Sequence, residues 1–138
     1  GSVWSLDVNS GKRLAEGTVG ANPKGVAYAD GKLFVSNTDS GTVSVLDSGT
    51  LKSAGKDIVL GANSQPRGIG FGYGSVWVAE GTGGKVAQIN PTTRDVQLVA
   101  QKHVDEADGL AVGPGGVWTA NGFGQTVARI NPTPTGKK

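Results

Sequence analysis

Three heptapeptides of one pattern decide the fold: GKLFVSN at residues 31–37, GSVWVAE at residues 74–80 and GGVWTAN at residues 115–121. Each begins with glycine, carries an aromatic residue at its fourth position and alternates apolar with small or polar side chains. Short alternating runs bounded by glycine, asparagine or aspartate are typical of β-strands. Their starts lie 43 and 41 residues apart, so we infer an internal repeat of about forty residues.

A second set of segments follows the first at a constant distance. GTVSVLD at 41–47 matches GKVAQIN at 84–90 and QTVARIN at 125–131, and GSVWSLD at 1–7 is a fourth copy. A third set, beginning at Gly25, Gly68 and Gly109, precedes the heptapeptides. Four short strands in about forty residues is the content of one β-propeller blade.

The repeat predicts thirteen strands in an all-β chain, with no window that favours a capped helix. Named a to d within a blade, they fall at these positions: a at 25–28, 68–71 and 109–112; b at 32–36, 75–79 and 116–120; c at 3–8, 42–46, 85–89 and 126–130; d at 13–19, 56–60 and 95–100. The chain is therefore one propeller segment. Its predicted divisions are a partial blade 1–23, a blade 24–66, a blade 67–108 and a partial blade 109–138.

Composition narrows the class of protein. Glycine contributes 24 of 138 residues without a collagen period, which suits many turns. The net charge is +2 and the basic residues are scattered, so we expect no nucleic-acid partner. No apolar run reaches the length of a membrane span. Cysteine is absent, which excludes disulfides and thiolate chemistry.

The segment GANPKGVA at 20–27, with LFVSN at 33–37 and TVSVLD at 42–47, resembles the repeat of YVTN-type propellers. The G-x-V-W-x-A pattern at 74–79 and 115–120 is similar to blades of NHL-type and virginiamycin B lyase-type propellers. The resemblance implies an extracellular or periplasmic sensing or surface module. The resemblance to the lyase-type propellers implies an enzyme with bound magnesium, more than one catalytic histidine and a glutamate. This chain has a single histidine, His103.

About three blades do not readily close a ring, since closed propellers carry about four to eight. We therefore expect a homodimer that completes a six-bladed ring, with the last blade taking a strand from the partner's N-terminus. The alternative is that the chain is part of a longer single-chain propeller.

Loops b–c and d–a share one face of a propeller, and we expect any ligand there. The d–a loops read GANPKG and GANSQPRG in two blades but QKHVDEADG in the third. This departure makes the third loop the predicted centre of a site. The candidate ligand-binding residues are His103, Asp105, Glu106 and Asp108 of that loop, the b–c residues Glu80 and Phe123, and Lys24 and Arg67, which align with Asp108.

The function that these patterns favour is a non-catalytic binding or sensing scaffold for a protein, peptide or glycan, without a cofactor. Two alternatives stay open: a magnesium-dependent lyase-like enzyme, and a structural or engineered module for propeller assembly. Phe34, Trp77 and Trp118 occupy equivalent strand positions, and we expect them to pack between blades rather than to bind ligand.

Overall fold

The computed structural model describes residues 1–100 and 106–132. These residues form thirteen strands, which are, in chain order, β1 Ser2–Leu6, β2 Arg13–Thr18, β3 Pro23–Ala29, β4 Lys32–Asn37, β5 Thr42–Asp47, β6 Ile58–Val59, β7 Pro66–Gly72, β8 Ser75–Glu80, β9 Lys85–Ile89, β10 Val96–Ala100, β11 Ala107–Gly113, β12 Gly116–Asn121 and β13 Thr126–Ile130. Every predicted strand is present. The fourth strand of the first full sheet is shorter than predicted, because β6 pairs with β5 only at Thr42 and Val43.

The strands form four antiparallel sheets in which neighbours in sequence are neighbours in space. Their orders are β1-β2, β3-β4-β5-β6, β7-β8-β9-β10 and β11-β12-β13. This is the meander of a propeller blade, and the chain is an all-β propeller arc with two complete sheets and an incomplete sheet at each end. Among the described residues, no helix is long and apolar enough to cross a membrane.

The turns between strands c and d repeat one hydrogen-bonded motif. Asp47 Oδ1 accepts from the backbone N–H groups of Gly49 and Thr50, both at 2.9 Å. Asp7 makes the same turn with Asn9 and Ser10, and so does Asn90 with Thr92 and Thr93. An Asx side chain that mimics a backbone turn fixes this connection locally. The same bonds to the ionised form hold the pKa of Asp7 and Asp47 below the usual aspartate value.

Apolar cores lie between sheets, not within them. Phe34 and Val43 of the first full sheet pack against Val76 and Val78 of the next, and all four side chains are fully buried. Trp77 and Val86 repeat the arrangement against Val117 and Ile130, and Val35 and Leu46 meet Val19 and Val3 on the other side. Phe34 and Trp77 thus confirm the prediction of inter-blade packing. Trp118 is only partly buried, because its sheet is the last one described.

The glycine that opens strand a is required by the approach of neighbouring sheets. A Cβ atom on Gly68 would lie 2.7 Å from the backbone nitrogen of Leu110, and one on Gly25 would lie 2.9 Å from the carbonyl oxygen of Arg67. The innermost strands of neighbouring sheets, β3, β7 and β11, therefore approach one another to within backbone–backbone contact. Side-chain hydroxyls join them: Ser36 Oγ donates to Arg67 O at 2.5 Å, and Thr38 Oγ1 to Pro66 O at 2.7 Å.

Candidate ligand-binding face

The b–c and d–a loops meet in both full sheets and in the last, three-stranded sheet, as a propeller face requires. Backbone hydrogen bonds join them: Thr38 N–H donates to Asn22 O at 2.9 Å, Gly81 N–H to Gln65 O at 3.0 Å and Gly122 N–H to Glu106 O at 3.2 Å. The three acceptor residues share a left-handed backbone, with φ of 55°, 47° and 56°. The third d–a loop therefore ends in the same backbone conformation as its siblings, although its side chains differ.

Two of the predicted acidic residues are paired within the chain. The Arg67 guanidinium donates to Asp108 Oδ1 and, at 3.4 Å, to Glu106 Oε1. It also reaches Gln65 Oε1 at 3.2 Å. Arg67 and Glu106 are each three-quarters buried. The neighbouring sheet thus supplies a cationic partner for both acids, and the cluster joins two d–a loops.

Gly81 lets this arginine lie flat beneath the b–c loop of its own sheet. A Cβ atom at residue 81 would lie 2.6 Å from Arg67 Nε. Gly81 therefore packs as backbone against the guanidinium. Residues 81–84, all glycine except Thr82, form a loop that borders two surface clefts.

The first cleft, of about 350 Å³, lies between this glycine loop and the last sheet. Glu106 and Phe123 line its far side. The Phe123 side chain is 81% exposed, which agrees with its predicted place at a loop tip. An exposed aromatic ring beside polar backbone offers a surface on which a ligand can stack.

The second cleft, of about 320 Å³, lies on the other side of the same loop and contains Glu80. The Glu80 side chain is 3% exposed, and its Oε1 has no hydrogen-bond partner within residues 1–100 and 106–132. Burial raises the pKa of Glu80 above the usual glutamate value, and the positive charge of Lys85 opposes part of that rise. A buried carboxyl without a donor is costly and unusual in a folded protein.

The two sibling sheets show which partners Glu80 lacks on strand c of its own sheet. Asn37 occupies the equivalent place, and its Nδ2 donates to Thr42 Oγ1 at 3.1 Å and Ser44 Oγ at 2.9 Å. Asn121 likewise donates to Thr126 Oγ1 at 3.0 Å. In the middle sheet these hydroxyl positions hold Lys85 and Ala87. The Asn37 oxygen is also buried without a partner, but it belongs to a neutral amide whose nitrogen is satisfied.

The predicted site residues fall into separate groups. Arg67, Glu106 and Asp108 form one cluster, and Glu106 shares the first cleft with Phe123. Glu80 lies in the second cleft. Lys24 is exposed and lines a third cleft, of about 200 Å³, beside β1. His103 and Asp105 lie outside the described residues. In the described part of the chain, no three His, Cys, Asp or Glu side chains are grouped closely enough to hold a metal ion.

Sequence reasoning missed Ser64, Thr82 and Lys85, which line the Glu80 cleft. The signal was present in the repeat alignment. Glutamate replaces asparagine at residue 80 and lysine replaces threonine at residue 85, within a hairpin whose length is conserved. Since Glu80 and Lys85 face each other in the strand register, the two substitutions change one site together.

No family model and no curated protein sequence matches the chain. Solved structures show its fold. Hydrazine synthase from Kuenenia stuttgartiensis matches with a TM-score of 0.77 and 20% identity over 87% of this chain and 36% of that chain. A catalytically inactive virginiamycin B lyase from Staphylococcus aureus, solved with quinupristin, matches with a TM-score of 0.77 and 16% identity over 92% of this chain and 44% of that chain.

A computationally designed protein, Ika8, matches with a TM-score of 0.70 and 17% identity over 92% of this chain and 39% of that chain. The chain thus spans less than half the length of these propeller proteins. Such likenesses establish the β-propeller fold. They leave the lyase-like and assembly-module alternatives as predictions.

Proposed function

We propose that the chain is a non-catalytic β-propeller module that binds a ligand on its b–c and d–a loop face. The observation that carries this proposal is the pair of clefts around residues 81–84. One contains the buried carboxyl of Glu80, whose Oε1 has no partner in the described part of the chain, and the other contains a largely exposed aromatic ring at Phe123. Both features cost stability or solubility in the free chain, and both are explained by a ligand that contacts them.

The finer assignment is also part of the proposal. We take the blades to be of the YVTN or NHL type, because GANPKGVA at 20–27 and LFVSN at 33–37 resemble this repeat in sequence and spacing. By that resemblance the module works outside the cytoplasm, in an extracellular or periplasmic setting. Its ligand is a protein, a peptide or a glycan.

A fragment screen followed by NMR tests the binding role. Amide shifts induced by a mixed fragment library should cluster in loops 38–41, 61–65, 81–84 and 122–124. The hairpin tips at the opposite end, such as Asp30 and Tyr73, serve as the internal reference. Fragments that bind only at those tips, or none that bind at the loops, would remove the proposed function. The alternative of a structural or engineered assembly module predicts that no fragment binds at the loops.

We also propose that a second copy of the chain covers the open faces of the arc. Val127 is 72% exposed, whereas the equivalent Val43 and Val86 are fully buried between sheets. At the other end, Trp4 and Leu6 are 56% and 55% exposed. Head-to-tail docking, of the kind that joins neighbouring sheets within the chain, brings these two faces together.

Sedimentation equilibrium at micromolar concentration tests the dimer. A mass of twice 13.9 kDa is expected for the chain, and a mass of one chain after deletion of residues 1–20. The substitution Val127→Asp should also give one chain, because it places a charge in the apolar contact, whereas Val59→Asp on an exposed strand should not. A single-chain mass for the unaltered protein would show that further blades of a longer chain cover these faces instead.

A further inference from the structure

We infer that the Glu80 cleft and the Phe123 cleft together form a binding groove for a neutral carbohydrate chain, with Glu80 accepting hydrogen bonds from sugar hydroxyl groups. This inference rests on the proposed binding function and names the ligand class. The two clefts share Thr82 and Gly83 on the loop that separates them. One linear ligand can therefore cross the loop and occupy both.

The charges of the Glu80 cleft select an uncharged ligand. Glu80 and Lys85 both line this cleft. A cationic ligand would meet the ammonium group of Lys85, and an anionic ligand would meet the buried carboxyl. A polyol avoids both conflicts, because its hydroxyl groups donate to a carboxylate and accept from an ammonium group.

Glu80 Oε1 is buried and has no hydrogen-bond partner within residues 1–100 and 106–132. A ligand hydroxyl that displaces the covering part of the cleft wall would supply the hydrogen bond that these residues do not. A hydrogen bond to an ionised group is stronger than a bond between neutral groups. Ser64, Thr82 and Asn63 add hydroxyl and amide groups to the same cleft.

The rest of the groove has the mixed polarity of a sugar ring. Leu60 and Leu98 line the Glu80 cleft beside its polar groups, and they can meet the C–H groups of a pyranose. In the other cleft, the Phe123 ring is free to stack on the apolar face of a second sugar unit. Peptide ligands lack this regular alternation of hydroxyl edges and apolar faces.

The test is titration of the 138-residue chain with cellohexaose, maltohexaose and chitohexaose, followed by amide shifts and by the Cδ resonance of Glu80. At least one oligosaccharide should shift the amides of 81–84 and Phe123 in a saturable way. It should also lower the apparent pKa of Glu80, because hydroxyl donors favour the ionised form. Glu80→Gln should weaken binding at least tenfold, or about 1.4 kcal/mol, and Phe123→Ala several-fold. Tyr28→Ala, which removes an exposed aromatic ring from β3, should leave binding unchanged.

Hexaarginine and hexagalacturonate provide the charged probes. Saturable binding of either that depends on Glu80, in the absence of neutral binding, would overturn the inference. So would a neutral oligosaccharide whose affinity is the same for the parent and Glu80→Gln. If fragments bind the loop face while all three neutral oligosaccharides fail, the binding module stands and its carbohydrate ligand is excluded.

Discussion

The seam between the middle sheet and the last sheet can be compared with the open face beyond the last sheet, because the same repeat positions form both. Trp77 and Val86 are 1% and 0% exposed in the closed seam. Their equivalents on the open face are Trp118, which is partly buried, and Val127, which is 72% exposed. The repeat therefore sets which residue stands at each position, whereas the neighbouring sheet decides whether that residue is buried.

The glycines of strand a also show that the neighbouring sheet determines the environment of a repeat position. Gly68 has backbone atoms of the next sheet less than 3.0 Å from the place of a Cβ atom, whereas the nearest atom to that place at Gly109 is the Ala120 methyl at 3.6 Å. A glycine that is sterically required in one repeat thus has ordinary room in the last one.

The largest effect should come from the aromatic position in the closed seam. Trp77→Ala removes a buried side chain that packs on Val117 and donates to Gly72 O at 3.0 Å, and should cost about 3–5 kcal/mol. Trp118→Ala should cost about 1 kcal/mol, since its ring is partly exposed and its centroid lies 6.0 Å from Arg129 Cζ, at the limit of a cation–π interaction. Urea unfolding of both variants measures the difference. Equal midpoints for Trp77→Ala and the parent would refute the strand register.

The valine pair sharpens the comparison with a smaller probe. Val86→Ala should cost about 2 kcal/mol, because two buried methyl groups are lost and a cavity remains. Val127→Ala should stay within about 0.5 kcal/mol at concentrations that keep the chain monomeric. Thermal melts over a range of concentrations measure both effects. A cost for Val127→Ala that grows with concentration would show that a second copy buries this face.

The buried carboxyl gives a prediction in pH. Burial raises the folded pKa of Glu80 above the usual glutamate value of 4.5, so the folded state binds more protons than the unfolded state between these two pKa values. Stability contributed by this group is therefore highest below pH 4.5 and falls as pH rises through the folded pKa. Glu80→Gln should stabilise the free chain by about 1 kcal/mol at pH 7 and have little effect at pH 4. A stability difference that does not vary with pH would show that the carboxyl is solvated.

The smallest effect should come from the ion cluster on the loop face. Asp108→Asn weakens the contact with Arg67 and should cost about 0.5 kcal/mol, less at high salt, because the aspartate is half exposed. Glu16→Gln is the matched control: its partner Arg13 lies at 3.1 Å and both side chains are about half exposed within a single sheet. Chemical denaturation at two salt concentrations compares them. A larger loss of stability for Glu16→Gln would mean that the ion cluster between sheets stabilises the fold no more than an ordinary ion pair within one sheet.

The fold was predictable because each strand carries its own signal. Alternation, bounding glycines and a constant offset locate the strands, and none of these depends on distant contacts. The short β6 was not predictable in the same way. Residues 48–57 form an irregular connection with Gly55 at a φ of 125°, which sequence periodicity does not reveal.

The site was predictable only in outline. The departure of the third d–a loop drew attention to Glu106 and Asp108, but pairing them with Arg67 required the spacing between two sheets. The isolation of Glu80 follows from lysine and alanine at positions that hold hydroxyl groups in the first full sheet. Such a loss is visible only when the cross-strand register is known.

The bonds from Ser36 and Thr38 to the carbonyl oxygens of Arg67 and Pro66 have a consequence for how propellers diversify. A hydroxyl that binds a backbone carbonyl recognises the path of the next blade and not its side chains. This part of the contact between blades therefore tolerates a change of side chain on the next innermost strand, whereas the apolar cores between sheets do not. One blade can carry Glu80 and Lys85 where its siblings carry asparagine and threonine without disturbing these backbone bonds.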